Sequence, residues 1–521
     1  MTAGISTVLI WRNICIKESG MKKLTLSATI VLILVSVLSS CGSTPKQEKQ
    51  PVLQQESDAG QQGKSETSAA ESGAAAVNQP EPVQNEENPA EAAQVQDPPD
   101  VSFAKKLKEY LDKDDMAGAL ASFDTMSDAL KDDTDLQILH ASLLVSAGRG
   151  AEAAEIGSAL QEKDGKNISV LELNAQIAAV NGDKKKSNEL AGQILAADPY
   201  NASANIQLAQ QQVLQRKYKI AYNYYKKALT NDPDNADALF GCAQMAYYLD
   251  NLDESKATFQ KILDRDGTNA GALAYMGKLS AEQEKYVQAT KYIQDAIKYA
   301  PDNYSFYLDL GTYQRNQENY DEAEKAWTKA VGLNPDYFLA YAYRAGLYNE
   351  MNRYADSLAD YYSVVKTNPK YYYAYEEIGM LEWHEKNWAK SRAGFMKALE
   401  FSKDNYSYKL MVAATYLKEK NTVECKNFLK TAMRNMDTSS VEYGMLRLYN
   451  DQGGINAENA ILPKIDKIEK TTPRGKMWFY MGLYYELKGS QKLAEEFYTK
   501  IMNMQTPMFF EYELAEWGLG K

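Results

Sequence analysis

The chain has 521 residues, of which 45% are hydrophobic and 11% aromatic. That length and apolar content suffice for an extensive core built from more than one domain's worth of sequence. A formal charge of −12 at pH 7, with no clustered Lys/Arg face, excludes the basic footprint of a nucleic-acid binder.

The N-terminal region comes first. Residues 21–41 read MKKLTLSATIVLILVSVLSSC. Lys22 and Lys23 form a short basic start, and the apolar run from Leu24 to Leu38 is short for a bilayer span. Leu38-Ser39-Ser40-Cys41 then resembles the lipobox of bacterial lipoproteins. The resemblance implies cleavage before Cys41 and acylation of its sulfur and new amino group, and two or three acyl chains anchor stably where one does not. Residues 1–40 are therefore read as leader and signal peptide, with Met21 the expected initiator and 1–20 lying upstream of it.

The stretch 41–100 follows the lipidated cysteine. Residues 42–100 hold no aromatic residue, seven of the 15 prolines, eleven acidic residues and three lysines. Such a segment buries too little apolar surface to offset chain entropy, so a disordered acidic linker is expected. At ~5–6 Å × √n its end-to-end distance is roughly 45 Å.

Beyond residue 100 the sequence becomes periodic. Pro199, Pro233, Pro301, Pro335 and Pro369 share a 34-residue phase, with Gly267 at the one missed beat. Twelve residues before these prolines stand Ser187, Ala221, Ala289, Ala323 and Ser357, and eight before stand Ala191, Tyr225, Ile293, Trp327 and Tyr361. The clearest unit is YSFYLDLGTYQRNQENYDEAEKAWTKAVGLNPDY, 304–337. Numbered 1–34, it places Tyr307, Leu310 and Gly311 at 4, 7 and 8, and Ala323, Trp327, Ala330 and Pro335 at 20, 24, 27 and 32. Small, bulky and proline positions at this period resemble the tetratricopeptide repeat, a helix–turn–helix unit. Units are expected to begin at Thr134, Ile168, Ala202, Ala236, Ala270, Tyr304, Phe338, Tyr372 and Tyr406. A weaker unit precedes them from Asp100, an irregular one follows from Ser440, and the last restarts at Gly475. The fold class implied is all-α, a right-handed superhelix of about 11–12 units over 101–506, with 507–521 as a C-terminal capping helix.

The same residues weigh against catalysis. Of four cysteines, Cys15 and Cys41 belong to the leader and anchor, while Cys242 and Cys425 fall at repeat positions 7 and 20, too far apart in a rigid array to be bridged. Two histidines, His140 and His384, with no cysteine pair do not make a zinc site. There is no phosphate loop, nucleophile elbow or His-Glu-x-x-His. No enzyme activity, metal or cofactor is expected.

In the family resembled, the first helix of each unit lines the concave side. Positions 2, 5, 9 and 12 would face it, one residue around from the packed stripe. This gives a candidate partner groove of Arg315, Ala342, Gly346, Tyr373, Glu376, Met380 and Trp383. Small residues would lie beside an aromatic wall, and Arg315 opposite Glu376. A secondary groove would use Phe240, Tyr247 and Tyr248. The combined reading is a lipid-anchored scaffold of the bacterial cell envelope, at the outer membrane, that holds protein or peptide partners and no nucleic acid. Alternatives are a surface-exposed adhesin and a solute- or glycan-binding lipoprotein.

Overall fold

A computed structural model describes residues 99–504 and 509–520. The leader, Cys41 and almost all of the acidic linker lie outside the described residues, as do three residues of the expected capping segment. The described chain is helical and divides at Leu249/Asp250 into two compact units. The first holds α1 (Pro99–Asp112), α2 (Met116–Asp124), the short α3 (Asp128–Lys131), α4 (Thr134–Ser146), α5 (Gly150–Lys163), α6 (Ile168–Val180), α7 (Lys184–Ala197), α8 (Ala202–Leu214), α9 (Tyr218–Asn231) and α10 (Ala236–Tyr248). The second holds α11 (Leu252–Arg265), α12 (Ala270–Ala281), α13 (Tyr286–Tyr299), α14 (Tyr304–Arg315), α15 (Tyr320–Leu333), α16 (Phe338–Glu350), α17 (Tyr354–Thr367), α18 (Tyr373–His384) and α19 (Trp388–Phe401). It continues through α20 (Tyr406–Lys418), α21 (Thr422–Ala432), α22 (Val441–Asp451), α23 (Ile455–Asp466), α24 (Thr471–Leu487), α25 (Gln491–Met502) and α26 (Glu511–Gly518).

The 34-residue period is visible in the backbone itself. Asp114, Gly148, Gly182, Arg216, Asp250, Glu284, Glu318, Asn352, Lys386 and Lys420 all have positive φ, one every 34 residues. Each sits just past the first helix of its pair, where a left-handed residue ends one helix so that the next can turn back. Helix starts repeat likewise. Asp133, Asn167, Asn201, Asn235, Asn269, Asn303 and Asn405 accept hydrogen bonds from backbone N–H groups of the helices they precede. Such N-caps satisfy donors that the helix leaves open.

Within a pair, the helices approach most closely where position 8 meets positions 20 and 24. Gly311 lies against Trp327, Gly379 against Phe395 and Gly482 against Tyr498, each 16 residues on. Trp327 is 2% exposed, and its Nε1 donates to the Leu308 carbonyl at 3.1 Å. At position 20, Ser187 Oγ donates to Ala175 O and Ser391 Oγ to Gly379 O, at 2.9 and 2.7 Å. Ala323 in that place is fully buried. Cys242 and Cys425 are buried, and neither forms a disulfide. His140 stacks flat on Phe123 at 4.3 Å, and its burial holds it below the ordinary histidine value.

The end of the second unit departs from the regular array. Residues 407–415 of α20 are buried all round, because α22 and α24 pack across it as well as its own neighbours. Tyr480 OH in α24 donates to Ser407 O at 3.0 Å, and Tyr449 OH to Tyr480 O at 2.8 Å. Lys418 pairs with Glu486 across 68 residues of sequence at 2.5 Å. The last long first helix starts at Thr471, four residues before the expected restart at Gly475.

Candidate protein-docking face

First helices of successive repeats meet one another: α12 touches α14, and α20 touches α22 and α24. Ion pairs cross this inner row. Lys278 on α12 binds Asp309 on α14 at 2.7 Å, and Arg315 on α14 binds Glu350 on α16. Arg315 Nε lies 3.1 Å from Glu350 Oε2, so the cation expected opposite Glu376 is already engaged by its neighbouring repeat. Gly346 on α16 has open space where a Cβ would be, and Ala342 one turn earlier is partly buried beside the Ala345–Tyr361 cluster. These two form the expected small-residue stretch of the inner row.

The aromatic wall on α18 is arranged differently from the expectation. Tyr373 is 40% exposed and stacks on Tyr372 at 4.0 Å, at the loop end of the helix. Trp383 lies ten residues on, about 15 Å along the axis, packed edge-on to Trp388 at 4.9 Å with Lys418 Nζ 5.4 Å from its ring. Between them Met380 is 2% exposed, and Glu376 accepts a hydrogen bond from Tyr408 OH. These four residues therefore do not enclose one vacant recess. The physical reason is that α20 supplies Tyr408 over Glu376, and α26 lies along α18.

The expected C-terminal helix is present as α26, and its contact with α18 is the feature that repeat positions do not encode. Trp517 Nε1 donates to Tyr354 OH on α17 at 3.1 Å, and its ring meets Tyr354 at 5.2 Å and His384 at 4.6 Å. Phe510, just before α26, packs 5.9 Å from Phe395 and 6.0 Å from Tyr408. Leu514 and Ala515 are buried. Burial first, then the negative charges of Glu513 and Glu376, push Glu377 on α18 up to about 8, against a weak bond from Asn349. Burial and Glu516 push Glu513 up to about 7. A signal was available: Phe510, Leu514 and Trp517 are spaced i, i+4, i+7, one face of a helix.

In the first unit, Phe240, Tyr247 and Tyr248 are partly buried along α10. Tyr247 meets Tyr248 edge-on at 5.7 Å, and Tyr248 meets Tyr218 at 5.1 Å. A second aromatic row runs along the loop edge of the second unit, with Tyr304–Tyr337 at 4.9 Å, Phe338–Tyr371 at 5.1 Å and Tyr372–Phe401 at 6.1 Å. No grouping of metal-binding side chains occurs among the described residues, and no described helix is long and apolar enough to cross a membrane.

An array of helix pairs whose first helices share one face defines a helical-repeat scaffold. Models of the tetratricopeptide repeat match residues 212–279, 276–338 and 308–365, and the described helices carry the same pairing through both units. The chain thus carries tetratricopeptide repeats. Solved structures similar to it include a tetratricopeptide repeat protein from Parabacteroides merdae, at 20% identity over 48% of this chain and 98% of that one, TM-score 0.37. Pseudomonas aeruginosa pilF is similar at 19% identity over 39% of this chain and 91% of that one, TM-score 0.36. TTC0263 of Thermus thermophilus, a thermophilic repeat protein, is 20% identical over 33% of this chain and 94% of its own, TM-score 0.31. No curated protein matches the chain.

Proposed function

We propose that this protein is a lipid-anchored scaffold of the bacterial cell envelope, held through Cys41 at the outer membrane, that docks protein partners on the inner face of its repeats. The observation that carries the docking reading is the row of first helices α12 to α18, linked by Lys278–Asp309, Arg315–Glu350 and Asn349–Glu377, with open space at Gly346. Repeats of this class work chiefly as binding surfaces built by stacking. The anchoring half rests on Leu38-Ser39-Ser40-Cys41 after a short apolar run, and on an acidic linker long enough to hold the array off the bilayer. Metabolic labelling with an alkyne fatty acid, followed by membrane fractionation, tests it. Label on the native chain and none on Cys41→Ser supports the anchor; equal labelling removes it.

A glycan-binding reading is favoured by one observation, the aromatic row at the loop edge, where Tyr373 and Phe401 are 40% and 46% exposed. Polysaccharide co-sedimentation that is lost in Phe401→Ala would move the function there.

A further inference from the structure

We infer that one edge of the first unit is a second membrane contact, a basic and aliphatic patch that lies on the anionic headgroups of a lipid bilayer. This goes beyond the acyl anchor and takes from the reading above only that a bilayer is within reach. The edge is built from two successive turns, from α6 into α7 and from α8 into α9, and lies wholly within the first unit. Gly182 and Arg216 hold the same left-handed position in the two turns, 34 residues apart. α7 and α8 pack together, with Gln207 Nε2 donating to Ser187 O at 3.0 Å, so the turns are neighbours on one side of the array. How closely such turns approach is seen one repeat later, where Tyr218 of α9 meets Tyr248 at the end of α10 at 5.1 Å. Lys184 and Leu214 hold those same two repeat positions one unit earlier.

Six cations gather on this edge of an acidic chain. Lys184, Lys185 and Lys186 open α7, Arg216, Lys217 and Lys219 surround the start of α9, and all six are exposed. They stand in two short groups in sequence and meet only through the repeat. Cations at a helix N-terminus oppose its dipole, so α7 gains nothing from three of them there. Among the described residues only Lys185 of the six has an ion pair, to Glu189 on its own helix at 3.9 Å. In the preceding turn, by contrast, Arg149 is tied to Glu152. Amid the cations stand Val180, Leu214 and Ile220, which are 43%, 62% and 46% exposed. A peripheral membrane surface has this composition: Lys and Arg meet the lipid phosphates, and the aliphatic tips enter the hydrocarbon boundary. A soluble acidic peptide or a nucleic acid would answer the cations and leave the aliphatic side chains in water. The linker between Cys41 and Pro99 is long enough for this edge to settle on the surface that carries the anchor. On a chain of net charge −12, one basic edge also orients the array, with that edge toward the lipid.

The test uses the chain from residue 41 onward with Cys41→Ser, which has no acyl group and no apolar leader and retains every described residue. Vesicles of equimolar phosphatidylglycerol and phosphatidylcholine are expected to bind it at least about tenfold more tightly than vesicles of phosphatidylcholine alone. On the anionic vesicles Lys185→Glu/Lys219→Glu is expected to lose at least about tenfold, and Leu214→Ser/Ile220→Ser about fivefold. Lys325→Glu/Lys329→Glu, the same charge change on exposed residues of α15, is expected to leave binding as it was. Equal binding to both kinds of vesicle, or an equal loss in the α15 variant, overturns the patch. Binding unchanged by Leu214→Ser/Ile220→Ser would reduce the edge to a polyanion site and overturn the bilayer contact. Hydrogen exchange on the chain without these substitutions gives a second readout. Amides of 183–186 and 217–220 are expected to slow at least about threefold on anionic vesicles, and those of 149–152 to stay as they were. No slowing at either turn overturns the inference. Fatty-acid labelling of the native chain tests the anchor separately, so the anchor and the edge can each fail alone.

Discussion

Gly311→Ala is the sharpest probe of the close approach that defines each repeat. An ideal Cβ at Gly311 would stand 2.6 Å from both Cδ1 and Cε2 of Trp327, atoms of a side chain only 2% exposed. The indole is pinned by its Nε1 bond to Leu308 O, so it cannot move without giving up that bond. Alanine in place of glycine favours a helix by ~1 kcal/mol. Overpacking opposes it by ~1–3 kcal/mol, and a buried donor left unpaired by a further ~1–3 kcal/mol. The net expectation is a loss of roughly 1–5 kcal/mol from these terms combined. Gly346→Ala is the internal control, since nothing lies within 4 Å of the added methyl. It is expected to gain up to ~1 kcal/mol from helix propensity alone. Thermal melts by circular dichroism, with hydrogen exchange to locate the loss in α14–α15, read both. A Gly311→Ala protein as stable as Gly346→Ala would refute the packing argument.

Further outcomes follow from the same geometry. Ala323→Trp, at a fully buried position, is expected to lose ~1–3 kcal/mol and to open its own repeat and neighbours before the rest, a pattern that hydrogen exchange distinguishes from uniform loss. Glu377 is raised from the ordinary 4.5 to about 8, so between those values the folded chain keeps a proton that the unfolded chain gives up. Its contribution is fully present below about pH 4.5 and is lost as pH rises through about 8, so the second unit is expected to melt lower at pH 8.5 than at pH 5.5, and Glu377→Gln to flatten that slope. A steeper slope in the variant would reverse the sign. Cys41→Ser is expected to release the protein from membranes; complete retention after high-salt washing would contradict the lipid anchor.

Much of the fold was legible because the repeat writes its packing into residue identity. Helices begin at Thr134, Ile168, Ala202, Ala236, Ala270, Tyr304, Phe338 and Tyr406 where the period places them, and at Tyr373 one residue late. The left-handed turn residues were not legible. Arg216, Asp250, Glu284, Asn352 and Lys386 share no one side-chain chemistry, so the tertiary turn imposes their backbone on whatever residue stands there. The site was legible only by face. Repeat register put Glu376 and Met380 on the inner row, but which later helix crosses that row depends on α22–α24, where the period breaks at Gly453–Gly454 and Pro463. Arg315 was seen as a lone inner cation because Glu350, 35 residues on, falls at position 13, outside the inner-face pattern.

The most direct measurement of the docking claim is site-specific photo-cross-linking in living cells. A benzophenone amino acid is placed singly at Gly346 or Thr312 on the inner row, or at exposed Lys329 on the second helix α15, in the full-length protein. The account predicts discrete protein adducts from Gly346 and Thr312, absent from Lys329. Adducts of equal pattern at all three positions, or from Lys329 alone, would contradict it.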